Sequence, residues 1–115
     1  MGTAAAKSLK LSESLPQALR GGEALTSVYK GMRDNLHMYS GITIDIIRRQ
    51  REWASKYILV NITQEAVTRG EARAIEQALI VRNRLDNIRN SISPIHDYYD
   101  QAVRWGEAWL KANGF

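Results

Sequence analysis

Two tyrosines and a group of arginines occupy positions from which they could handle a phosphate. Tyr29 and Tyr39 lie ten residues apart in segments rich in strand-forming residues, and the next segment carries Arg48, Arg49 and Arg51. A phenol can assist proton transfer or orient a water molecule, and an arginine can hold a phosphate through two hydrogen bonds. The alternative is that the tyrosines are ordinary amphipathic strand residues and the arginines form a solvated helix face.

The pattern of the chain predicts a mixed α+β domain with a three-stranded sheet. The third predicted strand is a compact β-branched run and is expected to be well buried. Thr68 and Glu71 match a capping box at the start of a helix. The predicted order is β-β-α-β-α-α, with strands over residues 26–33, 36–44 and 57–62 and helices over residues 45–56, 69–82 and 95–112, the last interrupted at Gly106.

The first two predicted strands form a β-hairpin. Asp34 and Asn35 favour the turn, because both side chains tolerate left-handed backbone conformations. A two-residue turn at this point places Tyr29 near Ser40 on the partner strand. Gly41 has no side chain, so another group could approach the backbone closely there.

The composition excludes several classes of protein. At 115 residues and 44% hydrophobic, the chain can form one domain with a core. It lacks an apolar run approaching the roughly 18 residues of a membrane span, and the absence of cysteine excludes disulfides and thiolate chemistry. The net charge of +4 is carried by residues 48–89, which hold nine cations and five anions. This local arginine excess indicates a polyanion partner such as nucleic acid, and an ordinary solvated surface is the alternative.

The beginning of the chain differs in character from the rest. Residues 1–25 are expected to be a linker or lead-in segment, and residues 26–115 a domain with a C-terminal helical extension. Pro16 and the Gly21-Gly22 pair break any long helix in the first segment. Its apolar stretch is too short, and its early cations too few, for a secretory signal peptide.

Three short stretches resemble the signature of the GIY-YIG nuclease family. They are Ser27-Val28-Tyr29, Tyr39-Ser40-Gly41, and Arg49 ten positions after Tyr39. The resemblance implies a small three-stranded antiparallel sheet flanked by helices and one divalent metal held by a single glutamate. The first motif here reads SVY instead of GIY, the second reads YSG, and Trp53 stands where relatives often have histidine.

Two later residues match further positions of the same family. Glu76, in ARAIEQALI, corresponds to the metal-binding glutamate, and Asn87, in LDNIRNSISP, corresponds to an asparagine that follows that helix. These two stretches look most like the delivered-toxin branch of the family. The resemblance spans residues 26–94, about 60% of the chain.

The resemblance implies metal-assisted hydrolysis of a phosphodiester bond. Glu76 would bind Mg²⁺ or Mn²⁺, since a hard cation can use one carboxylate together with waters and phosphate oxygens. Tyr29 would orient or deprotonate the attacking water, with Tyr39 in support. Arg49 would hold the phosphate and offset charge in the transition state, and Asn87 would fix the local loop or the phosphate.

Other residues have weaker predicted roles. Glu76 could instead be an exposed helix carboxylate paired with Arg73. Trp53, Trp105 and Trp109 are expected to be core residues, with base stacking as the alternative. Five arginines are predicted to contact nucleic acid, and ordinary solvent-exposed surface is the alternative for some of them. They are Arg48, Arg51, Arg73, Arg84 and Arg89.

With the resemblance, the sequence predicts a metal-dependent endonuclease, with DNA favoured over RNA. The toxin-like stretches imply the toxic C-terminal domain of a larger delivered protein. Such a domain would act in the cytoplasm of a target bacterium and would be neutralised by a cognate immunity protein. The alternatives are a non-catalytic nucleic-acid-binding module, a repair-type, restriction-type or RNA-cleaving nuclease of the same fold, and a small protein whose arginines recognise an acidic partner.

Overall fold

The computed structural model describes residues 15–83, 85, 87 and 89–115. The elements form an α+β fold with a three-stranded antiparallel sheet, in the predicted order β-β-α-β-α-α. Within the described ranges, no helix is both long enough and apolar enough to cross a membrane. After a 3₁₀ turn (Gln17–Leu19), the strands are β1 (Ser27–Arg33), β2 (Leu36–Thr43) and β3 (Ile58–Asn61), and the helices are α1 (Ile46–Trp53), α2 (Arg69–Asn83) and α3 (Tyr99–Ala112).

The predicted hairpin is formed by β1 and β2. Asp34 and Asn35 have φ angles of 54° and 62°, and a two-residue hairpin turn of this kind needs positive φ at both positions. Arg33 and Leu36 pair directly across the turn. The turn residues thus set the local geometry as the sequence indicates.

The pairing further from the turn differs from the prediction. The register shifts between Gly31 and Met32, where β2 carries one extra residue as a β-bulge. Tyr29 therefore lies opposite Gly41, and the predicted pairing with Ser40 is wrong. A turn of known length fixes the register only as far as the first bulge, and nothing in the sequence marks the bulge.

The third strand lies at an edge of the sheet, whose order is β2-β1-β3. Ile58 and Val60 are 62% and 42% exposed, so the prediction of a well-buried strand is wrong. The flanking residues Tyr57 and Ile62 are buried instead. A β-branched apolar run does not distinguish a covered strand from an edge strand, because the difference depends on which elements pack beside it.

Helix α2 begins at the predicted capping box. The backbone N–H of Thr68 donates to Oε1 of Glu71 at 2.9 Å, and the N–H of Glu71 donates to Oγ1 of Thr68 at 3.2 Å. The capping box is therefore confirmed. The helix directs an unusually polar buried face inward, because Glu76 and Gln77 are buried together with Ile75 and its alanine neighbours.

Helix α3 differs from the prediction at both its start and its middle. It begins at Tyr99 rather than near residue 95, and it runs through Gly106 without a break. A Cβ on Gly106 would overlap the carbonyl oxygen of Ala74 on α2. The glycine therefore permits close packing between two helices and does not end the helix.

The hydrophobic core draws on β1, α2, α3 and the residues that precede β1. Leu15 and Leu19, from the segment expected to be a lead-in, are buried in this core. Residues 1–14 of that segment lie outside the described residues. Trp105 is buried in the core and Trp109 packs against it, as predicted.

Candidate functional site

Four aromatic side chains pack together around the end of α1: Tyr29, Tyr39, Trp53 and Tyr57. The rings of Tyr39 and Tyr57 stack with centroids 5.5 Å apart, and Trp53 meets each of them edge-on at 4.9 Å. The ring of Tyr29 lies 6.3 Å from that of Tyr39. Trp53 is half-buried in this cluster and outside the hydrophobic core, so its prediction as a core residue is wrong.

Tyr29 is the most enclosed member of the cluster, with 1% of its surface exposed. Its ring crosses Gly41, where a Cβ would overlap the phenol. Its hydroxyl accepts a hydrogen bond from Nε1 of Trp53 at 3.1 Å. The predicted close approach at Gly41 is therefore made by the protein's own tyrosine.

The two predicted catalytic phenols are both neutral at neutral pH. Burial raises the pKa of Tyr29 and of Tyr39 above 10.0, and the carboxylate of Glu76 acts in the same direction. The guanidinium of Arg49 partly opposes these effects on both pKa values. A protonated phenol can donate a hydrogen bond to water or phosphate, which favours an orienting role over direct base catalysis.

Glu76 extends from α2 to the same cluster. Only 8% of the residue is exposed, so the alternative of an exposed helix carboxylate does not hold. Burial raises the pKa of Glu76 to about 7, although a hydrogen bond from Ser91 and the charges of Arg73 and Arg69 lower it. Burial therefore outweighs the nearby hydrogen bond and positive charges at this carboxylate.

Helix α1 presents its three arginines in different settings. Asp45 caps the helix by accepting a hydrogen bond from the N–H of Arg48 at 3.0 Å. Arg49 is half-buried, and its Nε lies 3.4 Å from Oε1 of Glu52 without a hydrogen-bond partner in the described chain. Arg48 and Arg51 are exposed. Of these three arginines, Arg49 is the one whose charge lowers the pKa of both phenols.

Asn87 ties the segment after α2 to strand β2. Its Oδ1 accepts a hydrogen bond from the N–H of Ser40 at 3.1 Å, and its Nδ2 donates to the carbonyl of Ser40 at 2.7 Å. Of the two roles considered for this residue, fixing the loop is the one that these contacts support. Asn87 thereby holds the second motif beside α2.

The same segment is held by two side chains of α2. Arg73 donates from Nε and Nη2 to the carbonyl of Ser91, at 3.1 and 2.8 Å. Gln77, which is fully buried, donates to Oδ1 of Asn90 at 2.9 Å and accepts from the N–H of Ile92 at 3.0 Å. These bonds commit two of the five N–H donors of Arg73 to the carbonyl of Ser91 and so turn this side chain toward the segment after α2.

A cleft of about 730 Å³ opens between the aromatic cluster, α2 and the segment after it. Four predicted site residues line it: Tyr39, Glu76, Asn87 and Arg89. The other described site residues of the prediction do not line it: Tyr29, Arg48, Arg49, Arg51 and Arg73. Arg84 falls outside the described residues. Residues of the cleft wall that the sequence analysis did not assign to a site are Arg33, Trp53, Lys56, Tyr57, Asn90 and Ser91.

The sequence contains a pattern that could have indicated some of these lining residues. Trp53, Lys56 and Tyr57 stand within five residues of one another, and interleaved aromatic and basic residues are typical of nucleic-acid contacts. Arg33 and Ser91 carried no comparable signal, because only the folding of the hairpin and the loop brings them to the cleft.

The chemistry of the cleft fits a hard divalent cation at Glu76. Among the described residues that line the cleft, Glu76 supplies the one carboxylate, and no three acidic, histidine or cysteine side chains of the described chain gather into a metal-binding group. Mg²⁺ is commonly held by one or two carboxylates, with waters and substrate phosphates completing its shell. A buried carboxylate with a raised pKa also gains from a neighbouring positive charge.

Comparison with protein-family models, curated proteins and solved structures finds no match to this chain. The relation to GIY-YIG nucleases therefore rests on the motif residues named above and stays a prediction.

Proposed function

We propose that this chain is a metal-dependent endonuclease of the GIY-YIG type, with DNA as its favoured substrate. The observation that carries the proposal is the cleft lined by both Glu76 and Tyr39. Tyr29 packs near Tyr39, and the charge of Arg49 lowers the pKa of both phenols. These residues come from β1, β2, α1 and α2, so four elements distant in the sequence contribute Glu76 and the three motif residues near it. In a cleft that only bound nucleic acid, such a carboxylate would lower the affinity, because its negative charge repels phosphates.

Glu76 would hold Mg²⁺ or Mn²⁺, which when bound supplies a Lewis acid for the phosphodiester and for the leaving oxygen. Tyr29 accepts a hydrogen bond from Trp53, which leaves the phenol proton free to be donated. Tyr39, which lines the cleft, would then orient the attacking water as a hydrogen-bond donor, and the enclosed Tyr29 would help to orient the phenol of Tyr39. Arg49 supplies positive charge beside both phenols and would offset the negative charge of the transition state.

Asn87 acts in this scheme as a positioning residue. Its two hydrogen bonds to the backbone of Ser40 hold Tyr39 and Gly41 at a fixed distance from α2. Arg73 and Gln77 hold Ser91 and its neighbours against the same helix. The wall opposite the phenols is therefore fixed by side-chain bonds to backbone groups, and catalysis benefits from such fixed geometry.

The experiment that tests this function is incubation of the folded protein with plasmid DNA, with tRNA and with total RNA. Each substrate is offered Mg²⁺ or Mn²⁺, with and without EDTA. The proposal expects cleavage with metal and none with EDTA. Intact substrates under every metal tried would favour the non-catalytic binding module instead.

We further propose that the chain acts as a toxin in the cytoplasm of a target bacterium, as the resemblance to the delivered-toxin branch implies. Induced expression in the bacterial cytoplasm should then stop growth and degrade nucleic acid. The Glu76→Ala variant should be tolerated at the same protein level. A cognate immunity protein would be the partner that protects the producing cell, and its co-expression should restore growth.

A further inference from the structure

The cleft is larger than hydrolysis of a phosphate alone requires. Pockets of roughly 300–1,000 Å³ accommodate whole organic ligands, and the cleft of about 730 Å³ falls in this range. Besides Glu76, its lining includes three aromatic residues, Tyr39, Trp53 and Tyr57, which we define as the aromatic wall.

The aromatic wall has the chemistry of a stacking platform. Its three rings pack on one another with centroids 4.9–5.5 Å apart, and Tyr57 is the buried member that supports the other two. Trp53 and Tyr39 are half-buried and line the cleft, so part of each remains open to it. Nucleobases stack on aromatic side chains irrespective of sequence, because every base has a π-face.

Two cations lie directly over this wall. Nζ of Lys56 is 5.7 Å from the ring centroid of Trp53 and 5.6 Å from that of Tyr57. Cζ of Arg33 is also 5.6 Å from the centroid of Tyr57. A base that stacks on the wall would place its flanking phosphates near these charges, since one nucleotide carries both groups.

We propose that the aromatic wall and its two cations bind an unpaired nucleotide, so that the substrate is single-stranded or locally unpaired nucleic acid. This inference rests on the proposed function, since it describes the substrate of the same cleft. A base inside a duplex has both faces covered by its neighbours and must leave the stack to enter such a cleft. Single-stranded segments offer the base face without that cost.

The test uses the Glu76→Gln variant, so that binding is measured without cleavage. Its affinity is compared for a single-stranded oligothymidylate of about ten nucleotides, for the same backbone with abasic sites, and for a duplex of the same length. Loss of one stacked base should weaken binding about tenfold, at constant salt. Equal affinity for the intact and abasic strands, or tighter binding of the duplex, would overturn the inference.

Tryptophan fluorescence provides a second readout. Binding of the intact strand should quench the emission, and this quenching should disappear in Trp53→Phe but persist in Trp109→Phe, because Trp109 packs against the core. Quenching that persists in Trp53→Phe would contradict the assignment of the wall. The comparison of intact and abasic strands needs no change to the wall, so it remains decisive if Trp53→Phe does not fold.

Cleavage by the wild-type protein separates failure of this inference from failure of the proposed function. If duplex, single-stranded and abasic substrates are all cleaved at similar rates, the protein is a nuclease and the proposed unpaired-nucleotide site is wrong. If the protein binds intact single strands in preference to abasic strands and duplex but cleaves none of them, the unpaired-nucleotide site is supported and the nuclease proposal is wrong.

Discussion

Glu76 is the residue at which stability and proposed activity conflict most clearly. The folded protein leaves 8% of this residue exposed, and burial raises its pKa from 4.5 to about 7. Between these two values the folded state binds more protons than the unfolded state. The free energy of unfolding therefore falls as pH rises from about 4.5 to about 7, and the loss is complete above that range.

Glu76→Gln should remove this loss and stabilise the metal-free protein at pH above 7. The pKa difference corresponds to roughly 3 kcal/mol, an upper value since other groups adjust. Urea denaturation at pH 5 and at pH 8 measures the effect. Glu65→Gln, at an exposed position, is the matched control and should change little.

Magnesium should reproduce part of this stabilisation in the wild-type protein. A ligand that binds only the folded state raises the free energy of unfolding, so Mg²⁺ at pH 8 should raise Tm in the wild-type and Glu65→Gln proteins but not in Glu76→Gln. An equal rise in all three proteins would contradict a metal site at Glu76.

The hydroxyl of Tyr29 should matter more for activity than for stability. Tyr29→Phe removes the acceptor of the Trp53 indole N–H, which costs about 1 kcal/mol, and the loss of an orienting group should lower the cleavage rate roughly 100-fold. Single-turnover cleavage and urea denaturation separate the two effects. Tyr98→Phe changes a half-buried tyrosine outside the cleft, and it should leave the cleavage rate unchanged.

The packing of α2 on α3 is the feature of the elements that supports the site most directly. Gly106 allows the backbone of α3 to contact the carbonyl of Ala74, two residues before Glu76. On its other side α2 contacts β1 and β2, which carry the two phenols. Displacement of α3 would therefore be transmitted to the position of the carboxylate.

Gly106→Ala should destabilise the protein even though alanine favours helices. Overpacking of this kind costs about 1–3 kcal/mol, more than the roughly 1 kcal/mol gained in helix propensity. Thermal denaturation measures the change in Tm. Arg104→Ala, at an exposed position of the same helix, is the control, and a Gly106→Ala protein as stable as wild type would contradict the close packing.

The electrostatic field is a property of the whole molecule. The sequence has a net charge of +4, and Arg33, Lys56 and Arg89 bring positive charge to the rim of the cleft. Glu76 lies inside the same cleft. A nucleic acid would thus meet cations first and the carboxylate only at the position of the proposed metal.

Arg89→Ala should weaken binding of nucleic acid and reduce its salt dependence. Removal of one phosphate contact lowers the slope of log K against log salt by about 1. Titrations of a single-stranded oligonucleotide at several salt concentrations measure this slope. Arg104→Ala removes the same charge away from the cleft, and an equal change of slope in both variants would contradict a specific contact at Arg89.

Much of the fold could be predicted because local chemistry determines it. Asp34-Asn35 specifies its turn and Thr68 with Glu71 specifies a helix start, whatever the rest of the chain does. The bulge between Gly31 and Met32 could not be predicted, because it depends on how the two strands pair over their whole length.

The candidate site was predictable at the motif residues and not at its walls. Tyr39, Glu76 and Asn87 line one cleft and Tyr29 packs near Tyr39, while the roles that the motif resemblance implies for them stay predictions. The sequence predicts a core position for Trp53, because large aromatic residues on helices are usually buried in the core. Its place beside the cleft depends on α1 packing at the edge of the sheet, which the pattern of one helix does not reveal.

Cleavage by Glu76→Gln, compared with the wild-type and Glu65→Gln proteins, tests the proposed active site most directly. All three are incubated with the same DNA and RNA substrates and Mg²⁺, after denaturation curves have established that each is folded. We expect the wild-type and Glu65→Gln proteins to cleave and the Glu76→Gln protein to lose cleavage while it still binds the substrate. Cleavage by Glu76→Gln at the wild-type rate would contradict an active site built around this carboxylate.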